Sequence, residues 1–177
     1  MNITYCEIAG VIFITPEILE DERGYFLESY SYKNFPVQTN FVQDNISFSS
    51  YGTIRGLHIQ NNKPQGKLVM ALSGCIFDVI VDLRKDSPTF KKWVSIKLHS
   101  EKKNQVYIPP GCAHGFCVTS KTAHVFYKCT EFYNPNSQIE ILYNDVDLNI
   151  PWPVTNPIMS IKDKNAMSLK KYLNIDN

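Results

Sequence analysis

Between residues 67 and 143 the chain is a succession of short runs in which apolar side chains fall on every second residue. That period of two constrains the fold more than any other feature. Phe77, Val79, Val81 and Leu83 share one face of such a run, and Val94, Ile96 and Leu98 share a face of a later one. A helix would scatter these residues around its axis, whereas a strand gathers them on one side. The segment therefore reads as half-buried antiparallel strands. The breaks carry turn chemistry: Leu72-Ser73-Gly74, Lys85-Asp86-Ser87-Pro88, Ile108-Pro109-Pro110-Gly111 and Tyr133-Asn134-Pro135-Asn136-Ser137. Strands at this spacing predict an all-β sandwich or barrel with few short peripheral helices. Helical spacing is confined to a short turn near 31–35 and to a C-terminal helical tail of about 164–177, where Ala166, Leu169 and Leu173 recur. The tail is expected to cap the β body.

Length and charge narrow the range of functions. The 177 residues suit a single domain spanning 1–177, and 44% hydrophobic residues are enough to bury its core. There is no internal repeat or low-complexity block, and the 10 prolines are spread as turn punctuation. Lys and Arg number 18 against 17 Asp and Glu, a formal charge of +1, so the chain offers no broad basic field for nucleic acid or an anionic membrane. An anionic ligand must be met by a local cluster. No run approaches the roughly 18 apolar residues of a spanning helix. The opening Met1-Asn2-Ile3-Thr4-Tyr5 lacks the basic-then-apolar pattern of a secretory signal, so the expected address is cytoplasmic. Cys6, Cys75, Cys112, Cys117 and Cys129 include no C-x-x-C pair and read as free, packed thiols. Cys112 stands two residues before His114, on the same face of a strand, which leaves a nucleophilic reading open.

The first half mixes polar and apolar residues more closely. Asp21-Glu22-Arg23-Gly24-Tyr25-Phe26-Leu27-Glu28, Gln43-Asp44-Asn45 and Arg55-Gly56-Leu57-His58-Ile59-Gln60 put polar groups on otherwise apolar strands, where partners, water or a ligand must satisfy them. Further on, Pro109-Pro110-Gly111-Cys112-Ala113-His114 resembles the second cupin motif, P-x-G-x-x-H. The first cupin motif supplies H-x-H, a glutamate and a glycine seven residues after it; here the matching positions hold His58-Ile59-Gln60, Lys67 and Gly74. A lysine in the acid's place repels a divalent cation, and Gln60 is a poor ligand, so no metal and no cofactor are expected. What remains suits proton chemistry. His58 matches the removal of a proton near neutral pH. Lys67 supplies positive charge for a developing oxyanion. Tyr127, on a later strand, could return a proton from the opposite wall, as inversion at a carbon requires, and His114 completes the set.

A longer ordered set carries a specific resemblance: Arg55-Gly56-Leu57-His58-x-Gln60, Gln65-Gly66-Lys67-Leu68-Val69, Phe77-Asp78-Val79-x-Val81-Asp82-Leu83-Arg84, Ser87-Pro88-Thr89-Phe90, Ile108-Pro109-x-Gly111-x-Ala113-His114-Gly115-Phe116, Tyr127-Lys128-Cys129-Thr130, and Asn144-Asp145 with Pro151-Trp152-Pro153. From about Gly10 to Asp163 the chain resembles the dTDP-4-dehydrorhamnose 3,5-epimerase family. The resemblance implies a cupin-like jelly roll, a homodimer with exchanged N-terminal strands, no metal, and epimerisation at C3 and C5 of dTDP-4-dehydro-6-deoxy-D-glucose. It makes His58 the base, Lys67 the group that steadies the C4 oxyanion, Tyr127 the acid, and Asp163 the partner that fixes the histidine tautomer. An acid just before a terminal helix would equally suit an N-terminal cap. The resemblance also places Arg23, Arg55 and Lys162 near the diphosphate, Glu28, Gln43 and Asn45 around the thymine and deoxyribose, Phe26 as a stacking face, and His114 and Tyr133 at the sugar.

His99 and His124 fall on outward strand faces and read as ordinary residues. Cys112 and Tyr143 depart from the family's usual bulky apolar residue and tryptophan. Three alternatives stay open at this level: a single-position epimerase or 3,4-ketoisomerase on a related 4-keto sugar, a metal-dependent cupin, and a non-catalytic sugar-binding jelly roll.

Overall fold

A computed structural model of the chain describes residues 1–175. In chain order the strands are β1 (Asn2–Tyr5), β2 (Ile12–Thr15), β3 (Leu19–Asp21), β4 (Gly24–Phe26), β5 (Gln43–Ser50), β6 (Ile54–Gln60) and β7 (Lys67–Ser73). They continue as β8 (Cys75–Asp82), β9 (Trp93–His99), β10 (Gln105–Ile108), β11 (Cys112–Val118), β12 (Thr122–Cys129) and β13 (Gln138–Glu140). Two short helices follow, α1 (Ile161–Lys164) and α2 (Leu169–Ile175). No described helix is long and apolar enough to cross a membrane.

The strands form two facing sheets, ordered β1-β2-β10-β7-β12-β5 and β13-β6-β11-β8-β9, with β3 and β4 pairing only with each other. From β5 onward the chain steps repeatedly from one sheet to the other, as a jelly roll does, and β8–β9 is the one hairpin in that stretch. The step from β7 to β8 turns on Gly74, whose φ of +74° favours glycine and whose missing side chain makes room for the Thr122 carbonyl and the Ser120 hydroxyl. Alternation decides what each face meets. Val69 and Ala71 of β7, Val106 and Ile108 of β10, Ile76 and Ile80 of β8 and Leu98 of β9 point between the sheets and form the central core. Ile12, Ile14, Leu68 and Tyr107 point outward and are roofed by Tyr30, Phe35 and Phe41 from the segment before β5. The expected turn lies there, with the Phe35 N–H donating to the Ser31 carbonyl at 2.9 Å.

Two expectations needed adjustment. β8 and β11 are buried on both faces, because Ile141, Leu148, Ile150, Leu169 and Tyr172 from the C-terminal third pack over Val79, Val81 and Ala113. The Phe77-Val79-Val81-Leu83 stripe thus faces this second core while Ile76 and Ile80 face the first. The tail also caps the β body as expected, but as two helices with a break. The Met167 N–H donates to Glu140 and its carbonyl accepts from Leu142, a bridge that holds the chain extended between α1 and α2. Residues 176 and 177 of the expected tail lie outside the described residues.

Candidate active site

A cavity of about 320 Å³ opens between the two sheets. One wall is the inward face of the six-stranded sheet: Gln43, Asn45 and Ser47 from β5, Lys67 from β7, and Tyr127 and Cys129 from β12. The other is the five-stranded sheet: Arg55 and His58 from β6, His114 and Phe116 from β11, and Gln138 from β13. Gln65 and Tyr133 close it from loops. Every strand residue on the first wall follows the period-two rule. Ile46, Phe48, His124, Phe126 and Lys128 fall between them on the outer face.

The two sheets present complementary groups. His58 Nε2 lies 2.6 Å from Asp163 Oδ1. Asp163 is nine-tenths buried or more, and its second oxygen accepts from Ser160 Oγ at 2.8 Å. Burial opposes the charge of Asp163, but His58, Ser160 and the Gly56 N–H together hold its carboxyl below the usual carboxylate range. The dyad and the cap are therefore one device: Ser160 is the N-cap of α1 and accepts from the Asp163 N–H at 3.1 Å while orienting the Asp163 carboxylate. An ionised Asp163 fixes the His58 proton on Nε2 and leaves Nδ1 with a lone pair. Opposite, burial pushes Lys67 down, opposed by Cys129 and Asp78, and burial pushes the Tyr127 hydroxyl up, so that Tyr127 keeps its proton near neutral pH. Arg55 donates from Nε to Ser49 Oγ at 2.9 Å, which fixes its guanidinium at the cavity edge.

Of the residues singled out in the sequence, Gln43, Asn45, Arg55, His58, Lys67, His114, Tyr127 and Tyr133 line this one cavity. Asp163 stands behind His58. Within one chain the structure does not bring the others there. Arg23 is exposed and bonded to Asp21, Phe26 is exposed at the end of the β3–β4 hairpin, and Glu28 accepts from Asn34 at 3.2 Å. Lys162 is exposed on α1. The hairpin pairs with neither main sheet, which is why its residues stay outside the cavity.

Gln60 has turned away to build the neighbouring loop, donating to Lys63 and Phe132 carbonyls and accepting from Asn134 N–H. With Lys67 where a metal cupin has its acid and both cavity histidines tied to aspartates, this donor set does not fit a divalent cation. Cys112 packs in the central core, where burial pushes its thiol up to about 12, which removes the nucleophilic reading. Sequence reasoning missed Ser47, Gln65, Phe116, Cys129 and Gln138 on the cavity wall and Asp78 behind His114. Asp78 gave no readable signal, since alternation puts it opposite the Phe77-Val79-Val81 stripe, and Gln138 gave none either.

A jelly roll with a polar cavity between its sheets, lined by histidine, lysine and tyrosine, defines a cupin-like protein. The model of the dTDP-4-dehydrorhamnose 3,5-epimerase family matches residues 5–171. The enzyme of that name from Shigella flexneri is 46% identical over 99% of this chain and 98% of its own length. Among solved structures, the epimerase from Elizabethkingia anophelis is 46% identical, covers 97% of each chain and superposes with a TM-score of 0.92. The epimerase from Legionella pneumophila, solved in complex with dTDP-4-keto-L-rhamnose, is 45% identical over 96% of this chain and 93% of its own, with a TM-score of 0.91. The chain belongs to the dTDP-4-dehydrorhamnose 3,5-epimerase family and has its cupin-like fold.

Proposed function

We propose that the chain converts dTDP-4-dehydro-6-deoxy-D-glucose to dTDP-4-dehydro-L-rhamnose without a metal, by removing and returning a proton at C3 and then at C5. The observation that carries this reading is the division of labour between the sheets: His58 with Asp163 projects from one wall and Tyr127 from the other. C3 and C5 both flank the C4 carbonyl. His58 Nδ1 takes the proton from carbon, the C–H electron pair moves into the ring, and the C4 oxygen becomes an enolate that the Lys67 ammonium holds. The Tyr127 hydroxyl then gives its proton to the opposite face of the same carbon, the carbonyl re-forms, and the phenolate and imidazolium exchange protons with solvent. Inversion follows because giver and taker stand on opposite walls.

Arg55, Gln43 and Asn45 supply the charged and amide groups for a nucleoside diphosphate on a chain of net charge +1. Arg23, Phe26 and Glu28 join them in a homodimer whose N-terminal hairpins cross to the partner's cavity. The isolated β3–β4 pair and the exposed Ile46, Phe48 and Leu72 on the outer face of β5, β12 and β7 favour that assembly.

Incubation with the 4-keto substrate in D₂O tests the reaction. Deuterium is expected at both C3 and C5 with wild type and at neither with His58→Ala, whose rate falls by roughly 10²–10⁴-fold. Label at one carbon alone would restrict the enzyme to a single-position epimerase, and undiminished label in His58→Ala would remove it as the base.

A further inference from the structure

The loop between β12 and β13 lies outside both main sheets, so side chains must satisfy its backbone groups. Three glutamines from other segments hold it peptide by peptide. Thr130 anchors its start, donating its N–H to the Gly66 carbonyl at 3.0 Å and accepting the Gly66 N–H on Oγ1 at 2.7 Å. Gln65 Nε2 then donates to the Glu131 carbonyl at 2.8 Å. Gln60 Nε2 donates to the Phe132 carbonyl at 3.2 Å, Gln43 Oε1 accepts the Tyr133 N–H at 2.9 Å, and Gln60 Oε1 accepts the Asn134 N–H at 2.9 Å. Gln60 is buried and also donates to the Lys63 carbonyl at 2.7 Å, so both ends of its carboxamide are engaged.

We infer that Gln60 is a positioning residue for substrate binding: by clamping the peptide group on each side of Tyr133, it aims the Tyr133 side chain at the ligand. The inference rests on the sugar-nucleotide reading of the cavity that Tyr133 lines. Each residue has two soft backbone dihedrals, and fixing the peptide planes on both sides of it fixes both. The bond to the Phe132 carbonyl holds the plane before Tyr133, whose other end Gln43 takes, and the bond from the Asn134 N–H holds the plane after it. One carboxamide thereby sets φ and ψ together. Tyr133 has little else to steady it: it is 46% exposed, and its ring makes no hydrogen bond or ring contact among the described residues. A carboxamide suits this post because it offers a donor to the carbonyls and an acceptor to the N–H without charge, whereas a carboxylate could only accept. Gln60 acts through Tyr133 and does not itself line the cavity.

Gln60→Leu removes both ends of the clamp and keeps most of the bulk. Its KM for the 4-keto substrate is expected to rise roughly 3–10-fold, the cost of ordering one freed side chain on binding, with kcat within about two-fold of wild type. Tyr133→Ala should raise KM by at least as much, and adding Gln60→Leu to it should raise KM no further, because Gln60 acts only through that side chain. An unchanged KM in either single variant, or a Gln60→Leu effect of the same size with and without Tyr133, overturns the inference. General damage to the fold would not depend on Tyr133 in this way. Where circular dichroism shows Gln60→Leu unfolded, amide hydrogen exchange in the wild-type protein answers instead. The Tyr133 and Asn134 N–H groups should exchange roughly 10²-fold more slowly than in a free peptide, although they lie in a surface loop. Free-peptide rates there overturn the inference. Wild type that incorporates no deuterium sinks the epimerase reading itself, whereas an active enzyme in which the Gln60 and Tyr133 effects simply add sinks only the role of Gln60.

Discussion

Asp82 ends β8 with no exposed surface and accepts from Arg84 Nε at 2.8 Å and from Thr89 Oγ1 at 2.6 Å, with the Ser87 hydroxyl on the same carboxylate. Burial opposes its charge, but these donors win and hold the carboxyl far below the usual carboxylate range. A depressed folded-state value means that the stability Asp82 contributes is complete above the unfolded value of about 3.9 and is lost as pH falls below it. Asp82→Asn should therefore cost about 2–4 kcal/mol near neutral pH, and urea midpoints should show the gap to wild type closing as pH falls toward about 3. A gap that does not change with pH would show that the ionised form contributes nothing special. At this scale the sequence spoke unevenly. His58, Lys67 and Tyr127 were legible because a cupin frame with altered ligands leaves few other uses for them. Asp78 was not, because reading β8 as half-buried assigned its core face to Phe77, Val79 and Val81 and left Asp78 on a face assumed to be wet. Only packing of the C-terminal third over that stripe shows that both faces are dry.

The smallest helix shows how an element can serve chemistry. α1 spans Ile161–Lys164, too short to be stable on its own, and Ser160 starts it while holding both the N–H and the carboxylate of Asp163. Ser160→Ala should lower stability by about 1 kcal/mol through the lost cap and release the carboxylate that orients His58. The expected result is a several-fold fall in kcat with KM near wild type, recovered in Ser160→Thr, which keeps the hydroxyl. A kcat equal to wild type alongside a lowered melting temperature would confine Ser160 to capping. Strand positions were readable because alternation is a local property, visible within each run. The break between α1 and α2 was not. It depends on a bridge from Met167 to Glu140 and Leu142, and on the Asp145 carboxylate accepting the Leu169 N–H at 2.8 Å, both set by residues more than 20 positions away. Helical spacing at Ala166, Leu169 and Leu173 could not register a competing partner at that distance.

For the whole molecule, a net charge of +1 conceals how the cations are spread: Arg55 and Lys67 face one cavity, while Arg23 and Lys162 stand exposed outside it within the same chain. The topology leaves β3–β4 unattached to either sheet, and the outer face of β5, β12 and β7 exposes Ile46, Phe48 and Leu72. The proposed arm reaching a neighbour's cavity would account for both features, and would make each site the property of two chains. Subunit mixing tests this directly. His58→Ala spoils the cavity body and leaves the arm intact; Arg23→Ala does the reverse. In a crossed dimer, a mixed pair holds one site with both defects and one with neither. Co-expression at equal levels puts about half of the dimers in the mixed state, so activity should return to about a quarter of wild type, although each variant alone is nearly inactive. If each arm serves its own cavity, every site in the mixture carries one defect and co-expression restores nothing. Recovery would thus assign Arg23 to the partner's site, and its absence would require Arg23 to reach the cavity within one chain or to play no part in binding.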